Sequence, residues 1–175
     1  MKIYQNFNLK KYNSYSLEAF CETAYFPEKE SDFLKLFKNK NNLIVLGNGN
    51  NIVLSKSYYD ESFIILNDNF DFIDIDKTNN IISAEAGATI LKISEFAEKH
   101  SLTGAEFFYD IPSSVGGAVV MNAGTKEGVT KNILKKVRYL DLKDMTVKEK
   151  SNEDLDLDYR TSFFQKNKKT IILKA

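Results

Sequence analysis

Between Gly104 and Gly128 the chain reads GAEFFYDIPSSVGGAVVMNAGTKEG, a combination that leaves few conformations open. Pro112 starts a turn over Ile111-Pro112-Ser113-Ser114, fixing its own φ and removing an N–H. The pair Gly116-Gly117 lets backbone approach a ligand without Cβ obstruction. The apolar run Ala118–Met121 follows, and then a loop of small residues, Asn122-Ala123-Gly124-Thr125. Successive free N–H groups in Ser-Ser-x-Gly-Gly can form an anion-binding concavity. The plainer reading is an ordinary tight turn before a buried strand.

The rest of the composition narrows the class. At 175 residues, 43% apolar and 13% aromatic, the chain makes one large domain or two small ones with a real core. Lys+Arg and Asp+Glu both number 24, so zero net charge speaks against a nucleic-acid partner. Cys21 stands alone, which excludes an intramolecular disulfide and a thiolate metal cluster, and no metal site is expected. MKIYQNFNLKKY has no apolar signal region and no run reaches membrane-spanning length, so a cytoplasmic protein without membrane contact is expected.

Periodicity supplies the elements. The opening from Phe7 to Ala24 has no clean period. Phe33, Leu34, Leu36 and Phe37 give FPEKESDFLKLFKN one apolar helix face, with acids early, Lys35, Lys38 and Lys40 late, and Asn41-Asn42 ending it. Leu43–Leu46, Ile52–Leu54, FIIL (63–66), FDFIDI (70–75) and IISAEA (81–86) read as strands, with a hairpin turn at 76–80. Thr89 caps a helix in which Ile90, Ile93, Phe96 and Ala97 share a face, closed by Lys99 and His100. KVRYLDL (136–142), TVKEK (146–150) and the terminal TIILKA are further strands. The mixture argues an α+β fold. The blunt end at TIILKA suggests an unpaired edge open to self-association.

Other motifs keep two readings each. LGNGNN (46–51) fails as a dinucleotide fingerprint, because Ile52 replaces the third glycine and strand follows. It is either a phosphate cradle or a simple turn. Arg160 in DYRTSFF either contacts a neighbour, Asp158 or an aromatic ring, or meets a substrate carboxylate or developing enolate. His100 suits a helix end better than catalysis, the acids Glu153, Asp154, Asp156 and Asp158 suit a solvated loop, and Cys21 suits an inert site.

Taken in order, these pieces resemble the flavin-binding half of the UDP-N-acetylenolpyruvylglucosamine reductases, the MurB family. LKKYNSYS matches that family's amino-terminal Asn-Thr-Phe segment. LGNGNN matches Leu-Gly-x-Gly-Ser-Asn, with Asn50 at the serine. GAEFFYDIPSSVGGAVVMNAG matches its long Ile-Pro-Gly block, with Ser113 at the glycine, and Tyr159-Arg160-x-Ser162-x-Phe164 matches Tyr-Arg-x-Ser-x-Phe. The resemblance implies a two-lobed FAD-binding fold of the vanillyl-alcohol-oxidase (PCMH) type, with lobes at 1–66 and 67–175. It implies cofactor-binding roles for Gly47, Asn48, Gly49, Asn50, Asn51, Ile111, Pro112, Ser113, Ser114, Gly116, Gly117, Ala118, Asn122 and Gly124. Tyr159 and Arg160 would bind substrate, and Arg160 would steady its enolate-like intermediate.

The implied activity is NADPH-dependent reduction of UDP-N-acetylglucosamine enolpyruvate in peptidoglycan synthesis. Its third, substrate-binding domain and the serine general acid there have no counterpart in these residues, and Ser162 matches a different serine. A truncated or partner-dependent flavoprotein is therefore expected, either with a second chain that supplies the third domain or as a homodimer. The alternative is a non-catalytic flavin-binding or interaction module. An oxidase of another branch of the fold is a weaker third reading.

Overall fold

A computed structural model describes residues 1–39, 42–67 and 69–175. The first half of the chain forms β1 (Lys2–Asn8), β2 (Phe20–Phe26), helix α1 (Glu30–Asn39), β3 (Leu43–Leu46), β4 (Tyr58–Tyr59) and β5 (Ser62–Ile65). Its sheet runs β1-β2-β5-β3, with β4 beside β2. β1 is antiparallel to β2, whereas β5 is parallel to both β2 and β3. Parallel neighbours need a crossover, and α1 supplies the one from β2 to β3. All of β5 is buried, as an apolar strand covered on both faces must be. Along β2 the faces alternate: Ala24 packs with Leu9, Phe63 and Ile65 on one side, Tyr25 with Phe33, Leu36 and Ile64 on the other.

The second half contains the hairpin β6 (Ile73–Asp76) and β7 (Ile81–Ala84), then α2 (Ile90–Lys99), α3 (Val115–Met121) and α4 (Thr130–Ile133). β8 (Lys136–Asp141), β9 (Thr146–Ser151), α5 (Phe163–Lys166) and β10 (Thr170–Lys174) complete it, in an antiparallel sheet ordered β10-β8-β9. The two halves share a core. Tyr25, Phe33, Leu36 and Ile64 of the first meet Val119, Val137, Leu140 and Leu173 of the second. Helix α3 lies at the junction, giving Val119 to this shared core and Val115 and Ala118 to a cluster with Ile90 and Ile93 of α2.

Several expectations change here. The unpatterned stretch from Phe7 to Ala24 takes in the end of β1 and most of β2, where register pairing between the two strands replaces a local period. Ile52–Leu54 is not a strand: Leu54 is buried, but Val53 is 67% exposed and no partner strand runs alongside among the described residues. In FDFIDI the regular strand begins at Ile73; the Phe72 and Phe70 carbonyls still accept from Glu85 and Gly87 N–H, but Phe70 turns into the shared core and Phe72 faces outward. The apolar run Ala118–Met121 continues a helix and not a strand. The end proposed for α1 at Asn41-Asn42 partly falls outside the described residues, as does Lys40, while Asn42 is left-handed at φ 58°. Finally, β10 has no open edge. β8 lies on one side, and Ala84 and Ala86 bond to Ala175 and Leu173 on the other. The structural ground for self-association through that strand is therefore absent.

Candidate functional site

The loop after β3, Gly47–Asn51, lies against the turn before α3. Asn50 Nδ2 donates to the Pro112 carbonyl at 2.8 Å across 62 residues of sequence. A Cβ on Gly47 would stand 2.5 Å from Ser114 Oγ, so the two loops touch only because that side chain is missing. Gly49, at φ +67°, presses on the Tyr12 carbonyl, and its own carbonyl accepts from Ser14 N–H at 3.2 Å. The amino-terminal segment thus backs the loop. Asn13 is buried beneath, its carboxamide bonded to the Leu9 and Leu17 backbone.

The donors of this pocket are informative. Among the described residues, the amides of Gly47 through Asn51, and those of Ser113 and Ser114, donate to no protein acceptor. Backbone N–H groups left unpaired are the raw material of an anion nest. Asn48 adds a side-chain oxygen that is inaccessible to water and has no hydrogen-bond partner.

The Gly-Gly part of the expected concavity is otherwise engaged. Val115 and Gly116 N–H donate to Ala88 and Ala86 carbonyls, and Gly117 N–H donates to the capping Ser114 Oγ at 3.2 Å. The AEAGA loop (84–88) docks there and takes the Val115 and Gly116 donors, so fewer amides are left open than the sequence suggests. Gly116 and Ala118 also pack within the protein: a Cβ on Gly116 would meet Ala86, and Ala118 is buried. Ile111 N–H closes a turn on Phe108, and Ser113 Oγ donates to the Ser114 carbonyl at 3.1 Å.

The opposite end of α3 opens on a cleft of about 320 Å³. Seven residues at a rise of roughly 1.5 Å put the helix ends about 10 Å apart. Asn122, left-handed at φ 44°, caps α3. Its Nδ2 donates to the Asp158 carbonyl at 3.1 Å, and its Oδ1 accepts from Lys131 N–H at 2.9 Å. This buried carboxamide therefore straps the 157–160 turn to the helix. Gly124 pairs with Val129 and forms the facing wall.

Tyr159 and Arg160 form the rim of the cleft. Tyr159 is 86% exposed, and the Arg160 guanidinium sits 5.9 Å from its ring in a cation–π contact. Arg160 makes no ion pair among the described residues. Lys131, which no motif singled out, also lines the cleft and donates Nζ–H to the Leu157 carbonyl at 3.0 Å. Its only sequence signal is a cation six residues past a small-residue loop, too common to read.

The residues read as bystanders behave as such. Ser162 is fully buried, donating to the Val120 carbonyl at 2.7 Å and capping α5, so its hydroxyl has no free role. His100 ends α2 and stacks on Phe96. Burial pushes the Cys21 thiol up to about 11. Glu153, Asp154, Asp156 and Asp158 are exposed.

A family model described as an FAD binding domain matches residues 25–149. The chain belongs to this family of FAD-binding domains. A UDP-N-acetylenolpyruvoylglucosamine reductase of Francisella tularensis is 37% identical over 169 residues, covering 96% of this chain and 59% of its own length. The reductase of the same name from Limosilactobacillus reuteri is 36% identical, covering 88% of this chain and 50% of its own length. The chain thus spans little more than half the length of the curated relatives it matches. Among solved structures, the MurB reductase of Thermus caldophilus superposes with a TM-score of 0.80 at 24% identity, over 99% of this chain and 59% of that one. A solvent-stable cholesterol oxidase gives 0.68 at 12% identity, over 99% and 37%. The α+β, two-lobed fold of the vanillyl-alcohol-oxidase (PCMH) type is the fold of this chain. No helix among the described residues is long and apolar enough to cross a membrane.

Proposed function

We propose that this chain is the FAD-binding portion of a UDP-N-acetylenolpyruvoylglucosamine reductase, with lobes at 1–66 and 67–175. The observation that carries the reading is the meeting of two distant loops whose amides no protein acceptor uses. A diphosphate suits them: it is all acceptor, and neither loop carries a carboxylate to repel it. Amides of Gly47–Asn51, Ser113 and Ser114 would hold the diphosphate, with Pro112 shaping the turn, and the orphan Asn48 Oδ1 would accept from a cofactor hydroxyl. Ile111, Gly116, Gly117, Ala118, Asn122 and Gly124 keep the frame between this cradle and the cleft.

Bound FAD would supply hydride chemistry, with NADPH as donor and the enolpyruvyl group of a UDP-sugar as acceptor. The exposed Arg160 guanidinium at the rim would bind the substrate carboxylate and offset negative charge developing beside it, with Tyr159 flanking it. Lys131 Nζ is held near that position by Leu157 and adds positive field. The Ser162 hydroxyl is buried and engaged, so it is not placed as a general acid. Turnover by a reductase of this kind would draw its general acid from further residues, in the same polypeptide or a partner chain. The setting would be peptidoglycan synthesis in the cytoplasm.

The deciding experiment is a visible absorption spectrum after incubation with FAD and desalting. Retained, near-stoichiometric flavin is the expected result, and a protein that stays colourless overturns the reading. The open position of Tyr159 and Arg160 favours a second reading, a flavin-binding module without turnover. Retained flavin that NADPH fails to bleach would select it.

A further inference from the structure

Asn50 makes the only hydrogen bond between the Gly47–Asn51 loop and the turn before α3 among the described residues. Elsewhere the loops meet through the bare Gly47 Cα against Ser114, a contact without directional preference. The bond is neutral, 2.8 Å long, and made by a side chain on the protein surface. It joins segments whose amides face no protein acceptor, so those amides have no bonds of their own to keep them in place. We propose that Asn50 is a latch that holds the cofactor-free loops in the spacing a diphosphate needs.

The proposal rests on the FAD reading above and adds a positioning residue to it. Asn50 need not touch the flavin. Its Nδ2–H is already committed to Pro112, and Pro112 has no N–H of its own to offer an anion. The division of labour follows from chemistry: backbone amides bind the anion, and one carboxamide fixes where they stand. A shorter hydroxyl at position 50 loses the reach to Pro112, and a carboxylate there would repel both the Pro112 carbonyl and a diphosphate. Preorganisation of this kind acts on affinity by removing an ordering cost at the moment of binding.

The test uses the whole chain as Asn50→Ala and Asn50→Ser beside the parent. Hydrogen–deuterium exchange of the cofactor-free proteins is read at the amides that bond to the two loops, Ser14 N–H on the Gly49 carbonyl and Ile90 N–H on the Ser113 carbonyl, with β8–β10 amides as internal control. Affinities are measured for FAD, for ADP (diphosphate without flavin) and for riboflavin (flavin without phosphate). Both variants are expected to exchange faster at these two amides and not in the control sheet. FAD and ADP should weaken by a common factor of about three to ten, the size expected for one neutral hydrogen bond, with riboflavin unchanged. Unchanged exchange at these amides overturns the latch. Faster exchange with unchanged ADP and FAD affinity overturns its role toward the diphosphate. A parent that binds neither FAD nor ADP overturns the cofactor reading together with that role, while the exchange data still decide whether the loops are tied.

Discussion

Gly49 is the residue whose replacement should be felt most sharply in the cradle. Its φ is +67°, and an added Cβ would fall 2.0 Å from the Tyr12 carbonyl oxygen, a backbone atom that cannot swing aside. Gly49→Ala is expected to cost at least about 2 kcal/mol by urea denaturation, combining left-handed strain with a steric clash. A variant as stable as the parent would show the loop to be far softer than drawn. Cys21 makes the opposite case, a reactive side chain made inert. With its thiol raised to about 11 by burial, it should ignore a disulfide reagent in mildly alkaline buffer and react fully once urea unfolds the chain. Glu85 gives a pH prediction. Burial raises its carboxyl above the usual 4.5, although Phe72 N–H bonds to Oε2 at 2.9 Å. A carboxyl whose folded value exceeds its unfolded one weakens the fold as pH climbs from the unfolded value through the folded one. Glu85→Gln keeps an acceptor for Phe72, so it should raise the melting temperature near neutral pH and change it little near pH 4. A gain confined to acid would contradict the assignment.

Individual elements show what a sequence can and cannot reveal about this fold. Helix α2 was legible because its signals are local: Thr89 Oγ1 accepts from Lys92 N–H, and the apolar positions repeat with helical spacing. Helix α3 was not. Its seven residues hold two glycines and two adjacent valines, a composition that suits a buried strand as well. What makes it helical is the Ser114 cap together with docking of its first amides on Ala86 and Ala88, contacts no local window contains. Strands β1 and β2 escaped notice for a related reason, since their pairing is non-local and most of β1 is exposed. At the site, the glycine–asparagine loop and the Pro112 turn were visible as special backbone. Their contact through Asn50 was not, nor was the entry of Lys131 into the cleft. The cap itself is testable. Ser114→Ala should lose about 1 kcal/mol, measured by denaturant titration, because Gly117 N–H loses its acceptor. An unaffected midpoint would mean that the docked AEAGA loop alone fixes α3.

At the scale of the whole molecule, the two lobes are held as one body by a shared apolar core and, among the described residues, one ion pair. Arg138 on β8 reaches Glu30 at the start of α1 through two bonds, Nε at 2.7 Å and Nη2 at 2.9 Å. Both side chains remain about a third exposed, which keeps the pair in the range of surface salt bridges despite its fork geometry. A double-mutant cycle with Glu30→Gln and Arg138→Gln should therefore give a coupling of about 1 kcal/mol or less, shrinking further in high salt. The core must do most of the joining, since Tyr25, Phe33 and Ile64 from one lobe are sealed against Val137, Leu140 and Leu173 from the other. Exposing either set costs more than the ion pair can contribute, at about 25 cal/mol for each Å² of apolar surface. Neither lobe can then melt while the other stays native. Calorimetry of the cofactor-free chain should show one transition whose calorimetric and van't Hoff enthalpies agree. Leu140→Ala, on β8 alone, should shift that whole transition downward, including signals that report on the first sheet. Two separated transitions, or a shift confined to the second lobe, would mean that the apolar contact between lobes is too weak to couple them. The spacing of the cradle loops would then depend on the cofactor and not on the protein.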